Sequence, residues 1–237
     1  MDLLFPSQCP GCREIVDKPG SFCASCWSEL TFITDPKCSQ CGYPFDYEEE
    51  VDMKCASCLT SPPAFDHAVS ALKYDDAIRA SILAFKHSDR TDLAPSFASW
   101  LTRIAKETID PESVICPVPL HTKRLRQRKY NQAGLLAKTI SDQLSLPYIP
   151  DLLIRVKNTP SQGTKSAKER VKNVRNAFKV NPAWDSENLP KHVLLVDDVF
   201  TTGATLNACA TCLKEANVEK VTALTLSRVV RATKIPI

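Results

Sequence analysis

After residue 61 the apolar positions alternate between two patterns. Short runs rich in Val, Ile and Leu occur at His67–Leu72, Ser113–Val118, Val193–Val196 and Val221–Leu226. Runs of this length with both faces apolar read as buried parallel strands. Between them the spacing becomes helical. Asp75–Lys86 places Ile78, Ile82, Leu83 and Phe85 on one side, and Leu93–Thr108 does the same with Phe97, Trp100, Leu101 and Ile104. A helix capped by Asn131 points Leu135, Leu136, Ile140 and Leu144 inward, and Leu206–Asn217 points Leu206, Cys209, Ala210, Leu213 and Ala216 inward. Strands alternating with helices predict an α/β fold built on a parallel sheet.

Residues 1–60 follow neither pattern. Their landmarks are four Cys-x-x-Cys pairs: Cys9/Cys12, Cys23/Cys26, Cys38/Cys41 and Cys55/Cys58. Each pair can grip a metal with two thiolates, and two pairs complete a tetrahedral site. The short gaps favour joining neighbouring pairs, giving two structural Zn²⁺ sites, with a cross-braced pairing as the alternative. Iron–sulfur or redox-dithiol chemistry is the competing reading of the cysteines. A segment this small lacks a core of its own, so metal supplies the missing stability. Ser61-Pro62-Pro63 reads as the linker, dividing the chain into residues 1–60 and 61–237. Cys209-x-x-Cys212 has no second pair to complete a site and reads as two small helix residues.

Eight of the eleven cysteines used this way, with no signal-peptide pattern and no long apolar run, predict a cytoplasmic protein without membrane insertion. The net charge of +3 conceals an uneven distribution. Residues 1–60 carry four Lys/Arg against ten Asp/Glu, whereas residues 121–180 carry fourteen against three. The acidic tract Glu48–Glu50 reads as a solvated loop. The basic belt implies a polyanionic ligand.

The chemistry concentrates at residues 193–205. An apolar run ends in Asp197 and Asp198, where the strand is expected to stop, and Thr201-Thr202-Gly203-Ala204-Thr205 leads into a helix. Ligands of open α/β sheets bind at such strand ends. Backbone N–H groups and hydroxyls at the start of the helix can cradle a phosphate, and the acids can accept from sugar hydroxyls. A P-loop ATPase is excluded, because no Gly-Lys-Ser or Gly-Lys-Thr occurs.

This stretch resembles the PRPP-binding signature of type I phosphoribosyltransferases, with Phe200 bulkier than the usual aliphatic residue. Pro117-x-Pro119-Leu120, Arg-x-Arg and Asn131-Gln132-Ala133 extend the likeness to the ComF family, which includes the ComFC and GntX proteins. So does Arg155-x-x-x-Thr159-x-x-Gln162 with its later Arg170-x-x-Asn173 and Ala177-Phe178. The family commonly has Gly where this chain has Lys129.

The resemblance implies a type I phosphoribosyltransferase-like parallel sheet with helices on both faces, preceded by a double zinc ribbon. It implies PRPP with Mg²⁺, the 5′-phosphate on Thr201–Thr205 and the ribose hydroxyls on Asp197 and Asp198. Pyrophosphate falls to a loop bearing His121, Lys123, Arg124, Arg126 and Arg128, and a lid to Thr159, Gln162, Lys165 and Arg170. A role in natural competence and DNA uptake follows, with single-stranded DNA and DNA-uptake proteins as partners. The alternative is a non-catalytic protein that handles single-stranded DNA, using Tyr130 as a stacking platform. Arg228, Arg231 and Lys234 are expected to form a basic C-terminal end.

Overall fold

The computed structural model describes residues 6–46, 52–87, 90–106, 108–158, 174, 176–184 and 188–230, without the side chain of His87. Four parallel strands, β1 (His67–Lys73), β2 (Ser113–Pro117), β5 (His192–Phe200) and β6 (Lys220–Arg228), form one sheet in the order β1-β6-β5-β2. A separate antiparallel pair, β3 (Leu153–Arg155) and β4 (Phe178–Val180), makes a small second sheet.

Alternation along β5 sorts its side chains to opposite faces. Leu194 and Val196 face α3 (Asp76–His87), α4 (Ala94–Ala105) and α6 (Gln132–Leu144), packing with Ile78, Ile82, Phe85, Phe97, Leu101, Leu136 and Ile140. Val193 and Leu195 face α7 (Ala204–Glu215), β3 and β4, and the cysteines of the second metal cluster. Each fully buried Ile or Phe on α3 contributes about 2 kcal/mol by leaving water. Leu83, expected inward, is 42% exposed; the helix turns it away from the stripe formed by Ile78, Ile82 and Phe85.

Both sheet edges are covered. Tyr148 bridges Ile115 in parallel on the outer side of β2, and Phe32 bridges Leu72 in antiparallel fashion on the outer side of β1. The second cover comes from the cysteine-rich segment. Ile33 N–H donates to Ala71 at 2.9 Å and Lys73 N–H donates to Thr31 at 2.8 Å. Pairing of this kind satisfies backbone groups that an edge strand would leave open.

The same segment packs through aromatic rings. Phe22, Trp27 and Phe32 surround Trp100 of α4 with centroids 5.6, 5.7 and 5.5 Å away, and Phe97 lies beneath it at 5.4 Å. Two short helices, α1 (Ala24–Ser28) and α2 (Ala56–Thr60), each follow a cysteine that occupies the N-cap position.

Three expectations need correction. β5 does not stop at its acids but continues to Phe200, paired with β6 alone after Val196 because β2 ends at Pro117. The basic loop contains a helix, α5 (Thr122–Arg128), whose run of Arg, Lys, Leu and Gln favours helix. Arg228 is 4% exposed and does not join a basic surface.

At the end of the sheet remote from the acids, His192 is buried between Ser113 Oγ at 2.5 Å and Thr222 Oγ1 at 3.0 Å. Burial, aided by Lys220, holds its pKa below the ordinary value, and burial holds His67 down as well. Unfolding frees both imidazoles to take protons near their usual pKa of about 6.5. The unfolded state therefore binds more protons as pH falls, and stability declines below about pH 6.5. Urea midpoints measured between about pH 7 and 5 should fall, and His192→Asn should flatten that slope. An identical slope in the variant would exonerate His192.

Candidate functional site

The site lies where β5 outruns β2. Asp197 and Asp198 occupy the part of β5 that has lost its outer neighbour, and both are half-buried. They do not behave alike. Asp198 Oδ2 forms an ion pair with Lys86 Nζ at 3.0 Å, reaching across from the last turn of α3. Asp197 Oδ1 accepts from the Asp198 N–H at 2.9 Å. Burial first, and then the neighbouring Asp198 charge, push the Asp197 carboxyl up to about 7, although Lys86 and Arg155 pull the other way.

Phe200 closes β5, and Thr201, Thr202 and Gly203 turn the chain into α7. Gly203 stands at φ +74°, a conformation that side chains disfavour. A Cβ there would also come within 2.8 Å of the Phe200 ring. Glycine is thus required both by backbone angle and by space. The Ala204 N–H lies 3.4 Å from Thr202 Oγ1, and Asn207 N–H returns to the Gly203 carbonyl at 2.8 Å. The first N–H groups of this twelve-residue helix converge at the loop, giving it the positive field that attracts anions.

α5 follows the end of β2. His121 caps it, its Nδ1 accepting from Lys123 N–H at 3.2 Å, so this histidine has a structural duty. Lys123 and Arg126 are exposed, whereas Arg124 and Arg128 are half-buried. Burial and the Arg128 charge lower the pKa of Arg124. Burial, followed by the Arg124 charge, lowers that of Arg155 on β3, which also feels Asp197. The cations from α5 and β3 therefore extend inward to the acid pair. Lys129 ends α5 at φ +66°, keeping the left-handed backbone a glycine would adopt.

Tyr130, Asn131 and Gln132 form a clamp. Tyr130 OH donates to the Phe85 carbonyl at 2.9 Å, Gln132 Nε2 to the Lys86 carbonyl at 3.0 Å, and Asn131 Nδ2 to the Val118 carbonyl at 3.0 Å. Asn131 thus holds the end of β2 instead of capping α6 with its side chain. Tyr130 is half-buried and serves as a strut for α3. By fixing the end of α3, the clamp fixes Lys86.

Sequence reasoning assigned no role to Lys86, which looks like any cation at a helix C-terminus. Arg155 stood only as one member of a family pattern. Thr159, Gln162, Lys165 and Arg170 lie outside the described residues, as do Glu48–Glu50, Arg231 and Lys234.

The eight N-terminal cysteines form two clusters, Cys9/Cys12/Cys23/Cys26 and Cys38/Cys41/Cys55/Cys58, each with its Sγ atoms within 4.8 Å of one another. The sequential pairing holds, and the cross-braced alternative does not. Tetrahedral zinc with Zn–S near 2.3 Å needs sulfurs about 3.8 Å apart, and Cys12–Cys23 at 3.5 Å and Cys41–Cys55 at 3.7 Å fit it. Burial opposes ionisation of Cys9 and Cys38, but surrounding backbone N–H groups outweigh it and bring their thiols to about 6 and about 7. Burial, with neighbouring sulfurs, raises Cys41 to about 11 and lifts Cys26 and Cys58 further. A bound dication reverses such penalties. Gly11 is needed because a Cβ would meet Cys26 Sγ at 2.7 Å. Cys209 is a core residue of α7, and Cys212 Sγ lies 3.2 Å from the Phe178 carbonyl; neither belongs to a metal cluster.

Comparison with known proteins agrees with both halves. Residues 1–59 match a double zinc ribbon domain, and residues 131–234 match a phosphoribosyl transferase domain. The chain is 33% identical over 232 residues to Competence protein F of Haemophilus influenzae, covering 94% of this chain and 98% of that one. Competence protein ComFC of Bacillus subtilis is 30% identical over 200 residues, covering 81% and 78%. The chain belongs to the ComF family. Another relative, DNA utilization protein YhgH of Escherichia coli K12, is 28% identical over 218 residues, covering 89% of this chain and 92% of its own. A glutamine PRPP amidotransferase from B. subtilis overlaps at a TM-score of 0.39 and 16% identity, covering 60% of this chain and 30% of that one. The fold assignment rests on the parallel sheet and the domain match. Among the described residues no helix is long and apolar enough to cross a membrane.

The two metal clusters differ in access. Cys12 is exposed, whereas Cys38, Cys41 and Cys58 of the second cluster are buried. Challenge of the purified zinc protein with a chelating dye should release two metal equivalents in two phases, the faster from the first cluster. Cys12→Ser should abolish the fast phase alone. A single phase of two equivalents would contradict this difference.

Proposed function

We propose that this ComF protein binds PRPP in the notch at the end of β5 and uses it as a phosphoribosyl donor. The observation that carries the proposal is the order of groups along one continuous stretch. Two carboxylates are followed within a few residues by a glycine-containing loop at a helix N-terminus, with cations across the cleft. In this reading Thr201–Thr205 hold the 5′-phosphate, and Asp197 and Asp198 accept from the ribose hydroxyls. Arg124, with Lys123, Arg126 and Arg128 on α5, faces the pyrophosphate.

Breaking the C1–pyrophosphate bond develops positive charge on the ribose. The acid pair stabilises that charge, while the cations of α5 and β3 stabilise the departing anion. Lys86 holds the Asp198 carboxylate in place before substrate arrives. Asp197 and Asp198 are the residues that would hold Mg²⁺ here, since that ion is commonly bound by one or two carboxylates together with substrate phosphates. When bound, Mg²⁺ neutralises charge on the leaving pyrophosphate.

The names of the relatives, competence and DNA utilisation, support a place for this activity in DNA uptake and use. A second reading, non-catalytic handling of single-stranded DNA, is favoured by the exposed cations Lys123 and Arg126 on one short helix. Binding of that kind weakens steeply with salt.

Calorimetry of PRPP with Mg²⁺, with and without single-stranded DNA, separates the readings. Asp198→Asn should weaken PRPP roughly ten-fold or more, the scale of one lost charge-assisted hydrogen bond, without disturbing the fold. Unchanged affinity would remove Asp198 from the site. Because the Asp197 carboxyl is held up to about 7, its ionised fraction grows through neutrality. PRPP affinity should therefore rise between about pH 6 and 8, and Asp197→Asn should be flat across that interval.

A further inference from the structure

Arg228 closes β6 and is 4% exposed. No ion pair joins it to a carboxylate among the described residues, and its Nε has no hydrogen-bond partner. Its surroundings are instead a metal cluster and two rings. One terminal N–H group donates to the Cys41 carbonyl and lies 3.9 Å from Cys41 Sγ. The guanidinium carbon sits 4.5 Å over the Phe200 ring, its register partner on β5, and 5.1 Å over Tyr43.

A guanidinium does not lose its proton in a protein, and burying it without an opposing charge is strongly unfavourable. Rings supply only part of the compensation. The missing negative charge is close by. Four thiolates around one divalent ion leave a net charge of −2, and Cys41 is one of those four.

We propose that Arg228 is the counter-charge of the second four-cysteine centre and the residue that positions Phe200 against it. Phe200 in turn sets the 201–205 loop, because Gly203 packs so close to its ring that a Cβ would collide. The metal centre, Arg228, Phe200 and the loop form one continuous contact chain. Outer groups of this kind orient metal ligands and tune their basicity.

The test uses the full chain loaded with zinc or cobalt and needs no nucleotide ligand, so it stands apart from the PRPP reading. Arg228→Met should release metal from the second centre at least ten-fold faster under chelator, with the first centre unchanged as the control for folding. The thiolate-to-cobalt charge-transfer band of the second centre should shift. Arg228→Lys, which keeps the charge, should recover most of the retention. Phe200→Leu keeps the charge and removes the ring; it should leave metal release unchanged while speeding hydrogen exchange of the amides at 201–205. Unaltered release and an unshifted band in Arg228→Met would overturn the counter-charge, and unaltered exchange in Phe200→Leu would overturn the positioning.

Discussion

Unequal strand length governs the site. β5 has nine residues and its outer neighbour β2 has five. While both strands run together, β5 is buried on either side and carries only aliphatic side chains between His192 and Val196. Once β2 ends, one edge of β5 opens and carboxylates become tolerable. The notch, the acid pair and the turn into α7 are consequences of that single mismatch. Lys86 and Arg155 then arrive from two different elements to balance the acids.

The pair is unequal in electrostatic terms. Two neighbouring carboxylates in a half-buried notch repel, and the protein resolves this by pairing Lys86 directly with Asp198. Asp197 absorbs the cost as a raised pKa. The support for Lys86 is remote from the acids: Tyr130 and Gln132 grip the carbonyls of Phe85 and Lys86. A sequence motif beside the basic helix therefore serves the acids indirectly, by holding the end of α3.

Features set by local spacing were legible in the sequence. Each Cys-x-x-Cys grips from within four residues, and the strands and helices announced themselves by period. The pairing of the cysteine clusters followed from short gaps. What stayed hidden depended on partners distant in the chain. Lys86 and Asp198 are brought together only by the packing of α3 on the sheet, and the extension of β5 past its acids depends on pairing with β6. Arg228 looked like one more cation near the C-terminus, since nothing in its neighbours reveals that a cysteine cluster nearly two hundred residues earlier lies against it. The helical character of 122–128 was obscured by charge, which suggested a loop.

The edge cover on β1 has a consequence for the order in which the chain is made. β6 is the inner neighbour of β1, yet among the described strands it is the last to be synthesised. Until residues 220–228 leave the ribosome, β1 has no partner within the sheet. Residues 31–33, already emerged, offer one in antiparallel register. The cysteine-rich segment thereby shields a nascent apolar strand from other chains during most of translation, a protection unfinished parallel sheets otherwise lack.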